Sequence, residues 1–475
     1  METVEYDVVV IGGGPAGENA AQYAVEGVEV DGRALTAAIV ERELLGGECS
    51  YWACMPSKAL LRPIAVADLT GDLQGVSTAQ VDPKELLARR DYWVSDYDDS
   101  GQETWADGAG LAVVRGSGRL VGERTVRVTS SSGEVEVVAR RAVVIATGSE
   151  PLVPPMYADA LPWGSRDATG VVDVPDRLVV VGGGVVACEA AIWMAALGSE
   201  VTLVVRDTRL LGRTEPFAGE AVLAGLRDRG ITVHLGTDVT DVRRESPQDT
   251  GTGKVHGGAV TLTTSAGEIV ADELLLSIGR APRLEDLGLE SVGLSADDVT
   301  KGRLPEWLHA VGDASGGPPL THWGKHQARV VGARIAAAAT GEVAWEPDRE
   351  APVPQVVFSD PEVSSVGMTE AEARAAGHDV VVSRVPTSAA AGTGLLRDHV
   401  VGESQLVVDA DTRLLLGATF VGVEAAELVH AATVAIVGGV PVHVLRHAVA
   451  SYPTASELYL RLLEDLPRQF RTPPA

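Results

Sequence analysis

The sequence predicts an α/β fold made of two copies of one strand, glycine turn, helix and strand unit, followed by a smaller α+β domain. Three observations predict it. An apolar strand runs into a glycine-rich turn and a helix at YDVVVIGGGPAGENAAQYA, and the same pattern returns near the middle as RLVVVGGGVVACEAAIWMAALG. Each copy is followed by a second apolar strand, TAAIVERE and EVTLVVRD. Past the proline-rich, charged stretch GEVAWEPDREAPVPQVVF, the pattern changes to amphipathic strands such as SQLVVDA and LLLGATFVG, then helices. Repetition of one supersecondary unit implies two nucleotide sites.

At 475 residues the chain is too long for one core and divides into about three domains of ~150 residues each. A net charge of -27 opposes encounter with nucleic acid or an anionic membrane. METVEYDVVV enters an apolar strand without a basic leader, and no apolar run is long enough to span a bilayer, so a soluble, cytoplasmic protein is expected. The three cysteines, Cys49, Cys54 and Cys188, are too few for a secreted disulfide scaffold. Cys49 and Cys54 lie close in sequence, which in a reducing compartment points to metal binding or catalysis. The second ligand pair of a zinc site is missing, so no metal is expected. Cys188, inside ACEAAIWMAAL, reads as a buried, inert thiol.

The strand of RRAVVIATGSEPLVPP ends at Thr147 and Gly148 before a proline-rich linker, which places the first boundary near Pro151. EIVADELLLSIGRAPR and WLHAVGDASG each carry a strand ending in a glycine turn; they close the second unit and re-enter the first. The expected division is 1–150 with 285–350, then 151–284, then 351–475, the last starting near Ala351. The alanine-rich ARIAAAAT reads as helix, and RESPQDTGTGK, residues 244–254, as a solvated loop.

Gly12, Gly14 and Gly17 form G-x-G-x-x-G between a strand and a helix, where absent side chains let backbone amides reach a pyrophosphate. Glu41 ends the next strand, the place of an acid that holds ribose hydroxyls. In the second copy Gly182 and Gly184 are followed by Ala187, tolerated because that position only sets helix packing. Its second strand leads to Val205 in place of the acid, then Arg206, Arg209 and Arg213. Arginine there pairs with a 2′-phosphate, so NADPH is favoured over NADH.

Directly after the first acidic strand comes GGECSYWACMPSK, residues 46–58. Four residues separate Cys49 from Cys54, so a helical turn is expected to hold them near each other and near a helix N-terminus, which lowers a thiol pKa.

With IGGGPAG, GGECSYWACMPSK, ATG at 146–148, VGGGVVACE, the IGRAP segment at 278–282, VGD at 311–313, FSDPEVSSVGMTEAEA and YPTASE, the chain resembles the pyridine nucleotide-disulfide oxidoreductases over essentially its whole length. This is the family of dihydrolipoamide dehydrogenase, glutathione reductase, mercuric reductase and soluble transhydrogenase. The resemblance implies two Rossmann-like domains, FAD-binding and NAD(P)-binding, plus a C-terminal α+β dimerisation domain. It implies that Cys49 is the interchange thiol facing the acceptor and Cys54 the thiol touching the flavin. Lys58 would sit beside the flavin, paired with Glu189, a pairing that charge burial also demands of a lysine next to a buried cofactor. Asp313 would bind the ribityl chain. Gly47, Thr147, Gly148, Gly312 and His322 would complete the FAD site, and Gly279 would join Gly182, Gly184, Ala187 and Glu189 at the nicotinamide nucleotide.

The departures carry information. Where the family places a catalytic histidine before a Pro-Thr pair, this chain has Tyr452, with Pro453, Thr454 and Glu457 kept in YPTASE. Family members form homodimers in which this segment closes the partner subunit's site. His447 is five residues too early to replace the histidine without rearrangement. Tyr452 is similar to the transhydrogenase and mercuric reductase pattern and Trp52 to the transhydrogenase pattern, but Cys54 is kept and no cysteine follows Cys188. The expectation is an enzyme passing electrons from NADPH through FAD to the Cys49 and Cys54 disulfide, then to a small acceptor with a disulfide or similar electrophile. The alternatives are a flavin-centred reductase of quinones, metal ions or a second nicotinamide nucleotide with accessory thiols, and a non-enzymatic redox sensor.

Overall fold

A computed structural model of the chain describes residues 2–344 and 351–473. The linker at 345–350, with the end of the expected segment 285–350, and the final two residues of 351–475 lie outside the described residues. By packing, the chain divides into two units.

The first unit comprises residues 1–56, 90–152 and 279–349. Its parallel strands lie in the order Leu111–Arg115, Ala37–Glu41, Glu2–Ile11, Gly133–Ile145 and Leu308–Ala310. Val8 pairs with Ala37 on one side and Ala142 on the other. Thr125–Ser130 and Ser117–Gly122 continue the sheet as an antiparallel meander. Val8 and Val10 enter the core that includes Ala20 and Ala24 of helix Pro15–Val25 and Ala328, Val331 and Ile335 of helix Thr321–Thr340. Val9 and Ile11 enter the core on the opposite face, with Leu120, Val126 and Leu284. Burial on both faces explains why the strand in YDVVVI is a continuous apolar run.

The second unit comprises residues 57–89, 153–278 and 350–475. Its parallel sheet runs Thr232–His234, Glu200–Val204, Arg177–Val181, Glu273–Leu276. Leu60, Leu61 and Ile64 share a core with Trp163, Leu178 and Trp193, which is why residues 57–89 pack here although they follow the first glycine turn in sequence. An antiparallel sheet of Gln355–Val357, Val363–Gly367, Leu415–Val421, Glu403–Asp409 and Val380–Pro386 carries helices Ala425–Val437 and Glu457–Asp465. Their Leu428, Val429, Leu458 and Leu462 bury against Leu406 and Phe420, giving the α+β region its core.

The segment 244–254 is only partly the solvated loop expected. Glu245–Asp249 are exposed, but Arg244 is fully buried in an ion pair with fully buried Glu273. At the other end Trp163 Nε1 donates to the Lys254 carbonyl at 2.8 Å, and Gly253 N donates to Asp167 Oδ1 at 3.0 Å. A buried carboxylate needs a partner, and Arg244 supplies it from the end of its strand, a demand that local polarity does not reveal. Among the described residues, no helix is long and apolar enough to cross a membrane.

Candidate active site

Steric demands separate the glycines of the first turn into two kinds. At Gly12 (φ 106°) a Cβ would lie 2.3 Å from the Ala146 carbonyl oxygen, and at Gly17 one would lie 1.9 Å from the Gly12 carbonyl oxygen. The fold itself requires these two. At Gly14 the nearest atom to such a Cβ is Gly47 Cα, 3.9 Å away. The space beside Gly14 is therefore kept clear of protein at the start of helix Pro15–Val25, whose N-terminus has no side-chain cap. Uncapped first-turn amides and a cleared approach fit the pyrophosphate of a dinucleotide. Glu41 closes the neighbouring strand with Oε2 accepting from Gly13 N and Oε1 from Glu43 N, each at 2.7 Å. These bonds fix the carboxylate beside the turn and leave further lone pairs for hydroxyl donors.

The second turn repeats this division. A Cβ on Gly182 (φ 133°) would lie 2.5 Å from the Ser277 carbonyl oxygen, whereas Gly184 has nothing within 4 Å and caps no amide of helix Val185–Ala196 with a side chain. Ala187 is fully buried. Val205 is buried directly under the turn, so close that a Cβ on Gly183 would lie 2.6 Å from its Cγ1. An acid cannot occupy that place without losing this packing. Arg206 is 82% exposed, 3.7 Å from Asp207; Arg209 donates to the Gly212 carbonyl at 2.7 Å, and Arg213 is exposed. Replacing Arg206 by Glu is expected to shift the ratio of kcat/KM for NADPH over NADH toward NADH by about tenfold, the effect of losing one charged hydrogen bond of roughly 1.5 to 3 kcal/mol. Equal efficiencies of the parent with both nucleotides would show that these arginines do not read the 2′-position.

The cysteine segment passes directly against the first turn: a Cβ on Gly47 (φ 57°) would lie 2.7 Å from Gly14 Cα. The two cysteines do not share a helical turn, as their spacing suggested. Cys49 lies in the short helix Gly47–Tyr51, Trp52 leaves the helical region (φ -131°, ψ -2°), and Cys54 opens the helix Cys54–Gly71. They meet nonetheless: the Cys49 thiol is hydrogen-bonded to Cys54, and Cys54 Sγ lies 3.2 Å from Thr321 Oγ1. The expected lowering by a helix N-terminus does not govern Cys49. The adjacent Cys54 thiol, then burial, push its pKa up, while Thr321 and Lys325 pull it down. Burial pushes the Cys188 thiol up to about 12, which suits an inert side chain. Between the cysteines, Trp52 stacks on Tyr97 at 4.4 Å between ring centroids.

Within the second unit, Lys58 Nζ pairs with Glu189 Oε2 at 2.7 Å, and Glu189 Oε1 accepts from Phe358 N at 3.0 Å. The Lys58 ammonium also sits 4.7 Å from the Phe358 ring centroid. In the first unit, Thr147 Oγ1 donates to the Arg283 carbonyl at 2.6 Å beside Gly148 (φ 74°). Asp313 accepts from Ser149 Oγ at 2.5 Å, and Ser149 Oγ in turn accepts from Arg280 Nε at 2.8 Å. Gly312 N donates to Gln327 Oε1 at 2.9 Å. His322 is exposed at the start of helix Thr321–Thr340. A Cβ on Gly279 (φ 134°) would lie 3.1 Å from Leu152 Cδ1. Near the C-terminus Tyr452 is 76% exposed, joined to Pro453 by a cis bond, and its segment is held where Thr454 abuts Gly392. Glu457 is buried with Oε1 bonded to Arg461 Nη2 at 2.7 Å and Oε2 without a partner among the described residues. His447 is exposed.

Family models decide the assignment. The pyridine nucleotide-disulphide oxidoreductase model matches residues 6–328, and the dimerisation domain of the same family matches residues 353–462. The chain belongs to the pyridine nucleotide-disulphide oxidoreductase family. This oxidoreductase is 32% identical over 483 residues to dihydrolipoyl dehydrogenase from Haloferax volcanii, covering 97% of this chain and 96% of that one. It is 30% identical to a mercuric reductase from Staphylococcus aureus, covering 95% and 81%. The HOCl-induced flavoprotein disulfide reductase RclA from Escherichia coli shares its fold, with a TM-score of 0.80, 25% identity and coverage of 97% and 99%. The family binds FAD and a nicotinamide nucleotide, and the two open glycine turns fit such groups. Sequence reasoning did not find Thr321, Lys325 or Glu18, which the fold brings to the cysteines and the first turn.

Proposed function

We propose that this oxidoreductase carries an electron pair from NADPH to a disulfide between Cys49 and Cys54, and from the resulting dithiol to a small acceptor holding a disulfide or an equivalent electrophile. The observation that carries this reading is the mutual hydrogen bond of the two thiols on a segment pressed against Gly14. The proposed FAD site comprises Gly12, Gly14, Gly17, Glu41, Gly47, Thr147, Gly148, Gly312, Asp313 and His322 in a domain of residues 1–150 and 285–350. The nicotinamide nucleotide is assigned to Gly182, Gly184, Ala187, Gly279 and the arginines at 206, 209 and 213, with residues 151–284 as its domain. FAD, when bound, supplies the two-electron relay between nicotinamide and cysteines. Lys58, held by Glu189, lies one turn beyond Cys54 on the same helix and is assigned to its flavin end.

The Cys49 thiolate attacks one sulfur of the acceptor, whose disulfide breaks and whose leaving thiolate takes a proton. Cys54 then attacks Cys49 sulfur, closing the protein disulfide and releasing the second half of the acceptor as a thiol. Residues 351–475 are assigned to a homodimer in which the YPTASE segment, with Tyr452 and Glu457, completes the partner's acceptor site. The relatives' names divide between dihydrolipoyl and mercuric substrates, so the acceptor class rests on the dithiol.

The deciding experiment is an anaerobic reductive titration of the purified, FAD-loaded protein. Four electrons per FAD are expected, two for the flavin and two for the cysteines. An uptake of two sinks the proposal and assigns turnover to flavin-centred reduction of quinones, metal ions or a second nicotinamide nucleotide.

A further inference from the structure

Thr321 brings the start of helix Thr321–Thr340 to the thiols, with its Oγ1 at 3.2 Å from Cys54 Sγ. Lys325 follows one turn later on the same face, since residues four apart on a helix are neighbours. Two glycines fix how this helix lies on helix Pro15–Val25. A Cβ on Gly324 would lie 3.5 Å from Ala16 Cβ, and one on Gly332 would lie 2.7 Å from Tyr23 Cβ. The two helices therefore run side by side in the same direction, with Ala16 level with Gly324 and Tyr23 with Gly332. Lys325 falls in the turn just past the first of these contacts.

We propose that Lys325 is the cation that supports the Cys49 thiolate. The inference rests on Cys49 as the nucleophile of the proposed reaction. An acceptor-facing thiolate needs a nearby positive charge, and Tyr452 offers none where the family's histidine would stand. A lysine ammonium is a compact point charge suited to that task. The adjacent Cys54 thiol and burial push the Cys49 thiol up, and the Lys325 charge opposes them. The charged and titratable groups facing Cys49 are Cys54 and Lys325. Lys325 is a positioning residue, acting through the thiol rather than on the acceptor.

The test is the rate at which iodoacetamide labels Cys49 in the reduced, FAD-loaded protein between pH 5 and 9, read by peptide mass spectrometry. Lys325→Met should slow labelling at pH 7 by about tenfold, the equivalent of one pH unit in the thiol midpoint. Lys325→Arg should stay within about twofold of the parent, because the charge is kept. Superimposable profiles for the parent and Lys325→Met, or an equal loss in Lys325→Arg, overturn the proposal. If Lys325→Met does not fold, Lys325→Gln decides: an unchanged rate at pH 7 overturns it. Labelling needs neither acceptor nor turnover. A two-electron titration would therefore sink the reductase reading while leaving this result standing, and a flat labelling series would do the reverse.

Discussion

Cys49→Ser is expected to abolish reduction of disulfide acceptors, with a loss on the order of 10³ or more in kcat/KM. The nucleophile of disulfide exchange is the thiolate, and a serine hydroxyl is not ionised at neutral pH and forms no disulfide. The features of the proposed flavin site do not depend on this side chain. Gly12 and Gly17 are set by backbone contacts, and Glu41 is held by the amides of Gly13 and Glu43. The variant should thus keep its FAD and still pass electrons from NADPH to a one-electron dye at close to the parent rate. Steady-state assays with the dye and with a disulfide acceptor, run side by side, separate the two routes. Disulfide reduction that survives in Cys49→Ser would move the chemistry away from the thiol pair.

The contrast between the two nucleotide turns and the thiol site shows which features a sequence can reveal. Gly12, Gly17 and Gly182 are needed because a Cβ would strike the backbone of a neighbouring strand or turn, and this demand recurs wherever a strand enters a helix so tightly. The fingerprint is local, so it was legible. Val205 was legible as the absence of an acid, although its packing under Gly183 was not. The turn expected around the two cysteines failed because Trp52 leaves the helical region, stacked on Tyr97 of the distant 3-10 helix Ser95–Tyr97. Thr321 meets Cys54 across 267 residues of sequence. Its neighbour Lys325 reads as an ordinary helix-face charge until the register of two helices is known. Arg244 likewise reads as loop charge until Glu273 is seen buried beside it. Long-range pairing of polar groups leaves no periodicity, so composition and spacing do not announce it.

Tyr452→His is expected to speed exchange with ordinary dialkyl disulfides by about 10², the lower end of what a positioned general acid-base group contributes. Imidazole takes up and returns a proton near neutral pH, whereas a phenol keeps its proton and can only donate a hydrogen bond. Tyr452 itself is 76% exposed in the single chain, so a smaller ring fits without displacing core. The rest of the histidine's setting persists: Pro453 and Thr454 follow, and Glu457 is buried with Oε2 unbonded among the described residues. That oxygen is suited to accept a ring N–H and hold the imidazole in one orientation. Glu457 is also tied to Arg461 at 2.7 Å, which draws on its charge and limits how far it raises the imidazole's basicity. The gain is therefore placed at the lower end of the range. Tyr452→Phe is the companion variant. If the tyrosine hydroxyl orients the acceptor, the Phe variant should slow the oxidative half-reaction and leave reduction by NADPH unchanged. Rapid mixing resolves the two half-reactions for all three proteins. A His variant no faster than the parent on dialkyl disulfides would show that the proton is supplied from elsewhere in the site. Unchanged oxidative kinetics in Tyr452→Phe would confine Tyr452 to filling the subunit interface.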